Sequence, residues 1–417
     1  MADQPESGAR PPDRRYRHLP ALTWSLLALL TIYFLVWFIF YRPSTEERLE
    51  IASFAEALHQ IPRDYVEPVD RATLYQAAMK GMIASLKDKY SWYLSQGQLS
   101  RLLDETKGEF GGIGVVLSAT DTLPVVEEVI KDGPAAKAGV EANDVLTTLD
   151  GEDVSGLPLD KLSSLIRGKP GTTLTLGAAR GSKPEKLTFT ITRETIRVPD
   201  VRSEMLSDGI GLVRLTAFDE NAGADMRNAL TELVKNGLKG LIIDVRGNPG
   251  GLVKQATEIC DLFLNSGRII SLKGRDARPE PPVDAKPGAV VPETVPIVVL
   301  VDHGTASASE ILSGALQANG RATVVGTGTV GKGAVTAIMP LPDGSGVVMT
   351  VAHYELAGGE VIQGKGIKPD VVVGELPSPP KDLDPAKARE WYRNQHEKAR
   401  KEQLDRAVAI LKEKLAK

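Results

Sequence analysis

The spacing of apolar and polar positions divides the chain into stretches of different character. Ala21 to Tyr41, ALTWSLLALLTIYFLVWFIFY, is apolar or aromatic at 18 of 21 positions and holds no charge. As a helix it would span ~31 Å, about one bilayer core, and it is apolar on every face. From Thr45 to about Glu105 the apolar residues recur at helical spacing. Leu49, Phe54, Leu58 and Ile61 form one stripe, and Leu74, Ala78, Met82 and Leu86 form a second, which predicts a helical cap or stalk over 45–105. Residues 106–195 read instead as short strands. GGIGVVLS and PVVEEVI come first, then a short Pro-Ala helix before Gly139, a strand Val145–Leu149, a helix LPLDKLSSLIRG, and the strands TTLTLGAAR and EKLTFTITR. Residues 197–375 alternate strand and helix: GIGLVRLTAF, AGADMRNALTELVKNG, LKGLIIDVR, LVKQATEICDLFL, RIISLKG, VPIVVLVD, SASEILSGALQANG, TVVGT. They close with a hairpin of AVTAIMPLP and GVVMTVAHYEL around Pro-Asp-Gly-Ser. That order predicts an α/β domain with a mostly parallel sheet. Within it, Arg275 to Glu293 is rich in proline and charge and reads as a mobile surface loop. Residues 376–417 form a charged helix whose Leu404, Ala407, Ile410, Leu411 and Leu415 share one face. That face suits packing on the body or self-association.

Flanking charge orients the apolar run. Arg14, Arg15 and Arg17 precede it, while Glu46, Glu47 and Glu50 come soon after Arg42. The positive-inside rule therefore puts residues 1–20 in the cytoplasm, residues 21–41 in the membrane, and the rest outside, which in a bacterium is the periplasm. The alternative, a cleaved signal peptide, has an apolar region of only ~7–15 residues followed by small residues. Here the run ends in Trp37, Phe38, Phe40 and Tyr41, which suit the membrane interface. The expectation is a single-pass inner-membrane anchor that is not cleaved.

Composition narrows the chemistry. The 417 residues give room for two or three domains, and the net charge of −4 marks no nucleic-acid binder. The single cysteine, Cys260, excludes an intrachain disulfide and a cysteine zinc cage. The five histidines show no HxxxH pair, so no metal site is expected, and no motif of the chain implies an organic cofactor.

Two phosphate-loop strings overlap in GTGTVGKG, residues 326–333. Both need a helix immediately after, so that its N-terminal N–H groups meet phosphate. The next segment is instead the strand-like AVTAIMPLP, and Gly333 stands where a Walker motif needs Ser or Thr. Nucleotide binding is set aside. Lys332 then stands between two glycines at the head of an apolar strand. The alternatives are a solvated turn lysine and a lysine buried enough to serve as a general base.

VLVDHGTASASEIL reads strand, tight turn, helix, with Ser307 at the turn between two alanines. A helix N-terminus favours negative charge there. The plain alternative is that Ser307 or Ser309 caps the helix, and Ser309 with Glu310 could do that. A Ser-His-Asp triad has weaker grounds. There is no GxSxG elbow, and neither His303 nor His353 has an evident carboxylate partner.

Two resemblances add to this reading. The order of elements in 106–195, with GPAAKAGVEANDVLTTLDG, resembles a PDZ domain. The resemblance implies that Gly112, Ile113, Gly114 and Val115 bind a terminal carboxylate and that a strand edge pairs with an extended peptide. The motifs DVRGNPGG, GTASASE and GKG, in that order and with GIKPDVVV after them, resemble the carboxy-terminal processing peptidases. The resemblance covers roughly Thr45 to Val373.

That resemblance implies a serine endopeptidase with a Ser-Lys dyad, in which Ser307 is the nucleophile and Lys332 the base. The backbone N–H groups of Gly251 and Ala308 would be the oxyanion donors. One position departs from the family pattern: Thr336 stands where a glutamine orients the lysine amine. Threonine is shorter, which leaves room for a slow enzyme or one that depends on an adaptor or activator protein. The expected partners are protein substrates with apolar C-terminal tails, the membrane through residues 21–41, and a second copy of the chain. The rival reading is a catalytically idle PDZ scaffold that binds tails.

Overall fold

The computed structural model describes residues 44–119, 123–181, 185–275, 281–377, 380 and 384–416. The apolar run 21–41 and its flanking arginines lie outside the described residues. No helix among the described residues is long and apolar enough to cross a membrane. Residues 1–82 and 83–417 form separate compact units. The described part of the first is helix α1 (Thr45–Asp64) and most of α2 (Arg71–Ala84). Ser44 opens α1 with a capping box. Its hydroxyl accepts the Glu47 N–H at 3.0 Å, and the Glu47 carboxyl accepts the Ser44 N–H at 3.3 Å. The expected stripe of α1 is largely unburied: Leu58 is covered, but Leu49 is 64% and Phe54 40% exposed.

The second unit begins with a departure from the helical expectation. Trp92–Leu94 form a strand, β1, before helix α3 (Gln96–Lys107). Three residues are too few to show a period, and β1 exists because it pairs with a strand more than 250 residues away, Trp92 opposite Val348. Strand β2 (Glu109–Gly112) comes next. A five-strand antiparallel path is then built from β3 (Val115–Ala119), β4 (Pro124–Val129), β5 (Val145–Leu149), β7 (Thr173–Arg180) and β8 (Glu185–Thr192). Strand β6 (Glu152–Asp153) joins β5. Helices α4 (Pro134–Ala138) and α5 (Leu159–Ile166) complete this domain, whose core includes Val126, Leu146, Leu162 and Ile191. Strand β9 (Glu194–Arg197) pairs with β2 and ties the two ends of the domain together.

The larger domain contains β10 (Val201–Met205), β11 (Ile210–Leu215), α6 (Ala222–Lys235), β12 (Gly240–Asp244) and α7 (Val253–Cys260). After these come β13 (Arg268–Gly274), β14 (Val283–Asp284), β15 (Ile297–Val301), α8 (Ala308–Ala318) and β16 (Ala322–Gly326). Strands β17 (Ala334–Pro340), β18 (Gly346–Leu356) and β19 (Val371–Val372) and helix α9 (Pro385–Leu415) close the chain. One sheet runs β10-β11-β12-β15-β16-β19 and is parallel except for β10. Its strands are apolar on both faces because both are covered. Leu241, Ile243 and Val299 join the main core with helix residues such as Met226 and Ile311. Ile242, Val298 and Leu300 face Ala407, Ile410 and Leu411 of α9. The amphipathic C-terminal helix therefore packs on the body.

A second, antiparallel sheet is β1-β18-β13-β14 with β17 on β18. It alters one expectation. Residues 276–280 of the proline-rich stretch lie outside the described residues, but the rest is not featureless. Val283 pairs with Ile270, and Val291 is fully buried in the core.

Candidate active site

The chain leaves β15 at Val301 and turns into α8. Ser307 is the N-cap of that helix, with φ 55 and ψ −117. A non-glycine residue holds such backbone angles at a cost of about 1–3 kcal/mol, and such strain gathers at functional sites. Ser309 is not the cap; its hydroxyl donates to the Asn248 carbonyl at 3.1 Å.

The neighbouring turn, after β12, is sewn to this one. The Ala306 N–H donates to Asn248 O at 3.0 Å, and the Thr305 hydroxyl donates to Val245 O at 2.9 Å. Asp302 Oδ1 accepts the N–H groups of Gly247 (2.8 Å) and Gly304 (2.9 Å). Glycine is required where the turns meet. A Cβ on Gly250 would lie 2.8 Å from Ser307 Cβ and 2.9 Å from Ala308 N, and one on Gly251 only 2.4 Å from Phe218 O. Among the described residues, neither the Gly251 nor the Ala308 N–H has a protein acceptor. Two free donors beside a serine can hold a developing oxyanion. The turn is braced from behind by Arg246, which forks onto Asp244 at 2.8 Å. Its other nitrogen donates to Arg400 O (2.7 Å) and Gln403 Oε1 (3.0 Å) on α9.

Lys332 sits in the loop between β16 and β17. The structure joins its backbone to that of Ser307 through two residues whose role in the site the sequence did not disclose. Glu310, fully buried, accepts the N–H groups of Ser307 (2.8 Å), Lys332 (2.9 Å) and Gly331 (2.7 Å), and also the Thr329 hydroxyl. The Tyr354 hydroxyl lies 3.1 Å from Ser307 O and 2.9 Å from Lys332 O. Burial, with the charge of Glu310 beside it, pushes that hydroxyl up, so it remains a donor. Glu310 was visible in sequence only as an early helical acid; Tyr354 gave no signal.

Among the described residues no hydrogen bond joins Ser307 Oγ to Lys332 Nζ. The lysine is half-buried rather than enclosed, and its amine lies 5.4 Å from the centroid of the Tyr90 ring. Thr336 lies in β17 opposite Thr350, next to a register shift. His303 and His353 are both exposed. Among the described residues no cluster of His, Cys, Asp and Glu could hold a metal.

In the smaller domain, a groove of about 520 Å³ runs between β3 and α5, lined among others by Ile113, Gly114, Val115, Leu159 and Ile166. Strand β3 is the edge of its sheet, so its outer side is open to another strand. Gly112 does not line the groove; it is paired with Glu194 in the β2–β9 ribbon. Ile113 is fully buried, and its carbonyl accepts the Ala135 N–H at 2.8 Å.

Residues 209–373 match peptidase family S41, residues 125–180 match the PDZ domain, and residues 42–97 match the activating protease CtpB N-terminal domain. The carboxy-terminal-processing protease of Bartonella bacilliformis is 40% identical over 336 residues, covering 80% of this chain and 76% of that one. The chain belongs to the carboxy-terminal processing proteases of family S41. The carboxy-terminal processing protease CtpA of Bacillus subtilis is 38% identical over 323 residues, covering 77% of this chain and 68% of its own. A solved Bacteroides fragilis structure assigned to S41 shares the fold at TM-score 0.50 and 19% identity, over 74% of this chain and 84% of that one.

This S41 chain is thus a serine-type peptidase with a PDZ domain. Its glycine string at 326–333 is no phosphate loop, because the element after it is strand β17 and not a helix.

Proposed function

We propose that this S41 protease is anchored in the inner membrane by residues 21–41, faces the periplasm, and cleaves proteins at or near their C-terminal tails with a Ser307–Lys332 dyad. The observation that carries the reading is the shared clamp. Glu310 and Tyr354 hold the backbone of Ser307 and the backbone of Lys332 to one another. In the reaction Lys332 takes the Ser307 proton as Oγ attacks the scissile carbonyl, then returns it to the leaving amine. Gly251 and Ala308 donate to the oxyanion. The PDZ groove takes an apolar tail, with the strand edge of β3 pairing to the peptide. The missing hydrogen bond between Ser307 Oγ and Lys332 Nζ, together with Thr336, favours an enzyme that reaches full activity only when an activator or substrate draws the amine in.

The test is digestion of a protein with an apolar tail. Ser307→Ala and Lys332→Arg should both abolish cleavage while remaining folded, since arginine cannot give up its proton. The pH–rate profile should lack the limb near ~6.5 that a histidine base would impose. Amidating the substrate's C-terminus should weaken capture, and protease added to spheroplasts should digest the body. A Lys332→Arg variant that cuts as fast as the parent removes the dyad. Parent and variants alike idle on every tailed substrate, with and without cell extract, would leave the PDZ scaffold as the better reading.

A further inference from the structure

We propose that Tyr90 is a positioning residue for Lys332, filling the place that Thr336 is too short to fill. The inference rests on the reading of Lys332 as the base for Ser307. Lys332 Nζ lies 5.4 Å from the Tyr90 ring centroid, inside the ~6 Å at which a ring face attracts an ammonium. No other side-chain partner holds the amine among the described residues.

The backbone turn that carries the ring is itself fixed. The Tyr90 N–H donates to Asp88 Oδ1 at 3.0 Å, and the Ser91 hydroxyl donates to Asp88 Oδ2 at 2.6 Å. Ser91 Oγ in turn accepts the Thr350 N–H at 3.1 Å. The Ser91 hydroxyl, ahead of the Tyr90 N–H, holds the Asp88 carboxyl below the usual carboxylate range, so the turn keeps its acceptor at neutral pH. Thr350 is the cross-strand partner of Thr336. The turn that carries Tyr90 is therefore pinned to the residue opposite the position where the orienting glutamine would stand. Strand β1 continues the attachment, with Trp92, Tyr93 and Leu94 opposite Val348, Val347 and Gly346. Tyr90 is also near enough to Tyr354 to help push that hydroxyl up, after burial and Glu310.

The chemistry gives this contact a direction. As Ser307 Oγ forms its bond to the scissile carbon, its O–H bond breaks and the proton goes to Lys332 Nζ. The amine becomes an ammonium until it passes that proton to the leaving nitrogen. A ring face attracts the ammonium more than the amine, so it stabilises the species formed during attack more than the one before it. Several charged or titratable groups surround Lys332. Glu310 is on its N–H and Tyr354 on its carbonyl, and His353 of β18 lies opposite Ala334. The exposed Lys89 lies 4.8 Å from the same ring centroid.

The full chain, assayed on one tailed substrate, tests the inference with Tyr90→Leu and Tyr90→Met, which keep bulk without a π face, and Tyr90→Phe, which keeps the face. On the alkaline plateau, where the resting lysine is the free amine, Tyr90→Leu and Tyr90→Met should lower kcat roughly 5- to 30-fold. KM should stay within about twofold, because ground-state binding is untouched. The rising limb of kcat/KM against pH should move to lower pH, since only the ammonium loses its partner. Tyr90→Phe should match the parent in rate and limb, and Thr336→Gln should restore part of the rate in the Tyr90→Leu background. Lys89→Ala should leave the rate within about twofold of the parent. If Tyr90→Leu and Tyr90→Met fold and keep the parental kcat and pH limb while Lys332→Arg is dead, the inference is wrong and the dyad stands. If Lys332→Arg still cleaves, the dyad falls and the inference falls with it.

Discussion

Two buried carboxylates, one in the PDZ domain and one in the catalytic domain, solve the same problem differently. The Asp144 side chain is fully buried where β5 begins. It is matched by a cation: Arg180 Nε donates to Oδ1 at 2.7 Å and a second nitrogen to Oδ2 at 2.8 Å, with the Glu141 N–H at 2.9 Å. Glu310 is equally buried and forms no ion pair among the described residues. Its donors are three backbone N–H groups and a hydroxyl, drawn from the Ser307 turn and the Lys332 loop. Burying a charge is costly unless it is paired or fully hydrogen-bonded, and both sites meet that condition. What differs is what each holds together. Asp144 closes one corner of one domain, so its loss should register as stability. Glu310 joins the two loops that carry the proposed dyad, so its loss should register as rate.

The largest effect is expected at Glu310. Glu310→Gln keeps the shape but turns an acceptor into a donor facing N–H groups. Each unsatisfied buried group costs about 1–3 kcal/mol. If that cost falls on the attacking geometry, kcat should drop by about 100-fold or more with little change in KM. Steady-state kinetics beside urea unfolding would separate the two losses. A variant with parental kcat would erase the contrast with Asp144.

Asp144→Asn should instead lower the unfolding midpoint of the PDZ domain, at about 1–3 kcal/mol, and leave cleavage of a short peptide with no captured tail unchanged. Burial alone would push Asp144 up, but the Arg180 guanidinium and the Glu141 N–H outweigh it and hold the carboxyl below its ordinary value. A depressed folded value means that this stabilisation is complete above the unfolded value of ~3.9 and is lost as pH falls from there through the folded one. The parent should therefore lose PDZ stability on acidification in that window, and Asp144→Asn should show a flatter dependence. Equal slopes would take Asp144 out of the acid response.

Tyr354→Phe should cost less, because it removes one neutral donor shared between two carbonyls. A fall in kcat of roughly 2- to 10-fold is expected, corresponding to about 0.5–1.5 kcal/mol. A larger fall than that of Glu310→Gln would mean that Tyr354, and not the carboxylate, is the principal clamp. Smallest of all, His303→Ala and His353→Ala should leave cleavage within about twofold of the parent, since both are exposed. A dead histidine variant would return a histidine to the role of base.

The chain's own pattern disclosed the parallel strands, because residues such as Ile242 and Ile243 alternate between two covered faces. It also disclosed the strand–turn–helix around Ser307 and the strand that disqualifies the glycine string, because these depend on neighbours within a few residues. Gly251 was legible as part of a motif, and the reason it must be glycine is the 2.4 Å approach to Phe218 O. Tertiary structure alone decided which side chains serve the site. Trp92–Leu94 is a strand only because β18 accepts it, and Tyr354 reaches Ser307 across 47 residues and Lys332 across 22. Arg246 meets Gln403 across 157. Local sequence encodes period, caps and turns, whose energies are short-ranged. Which buried carboxyl faces a cation and which faces bare N–H groups depends on chain segments that meet only when the core closes, and no spacing along the chain records that meeting.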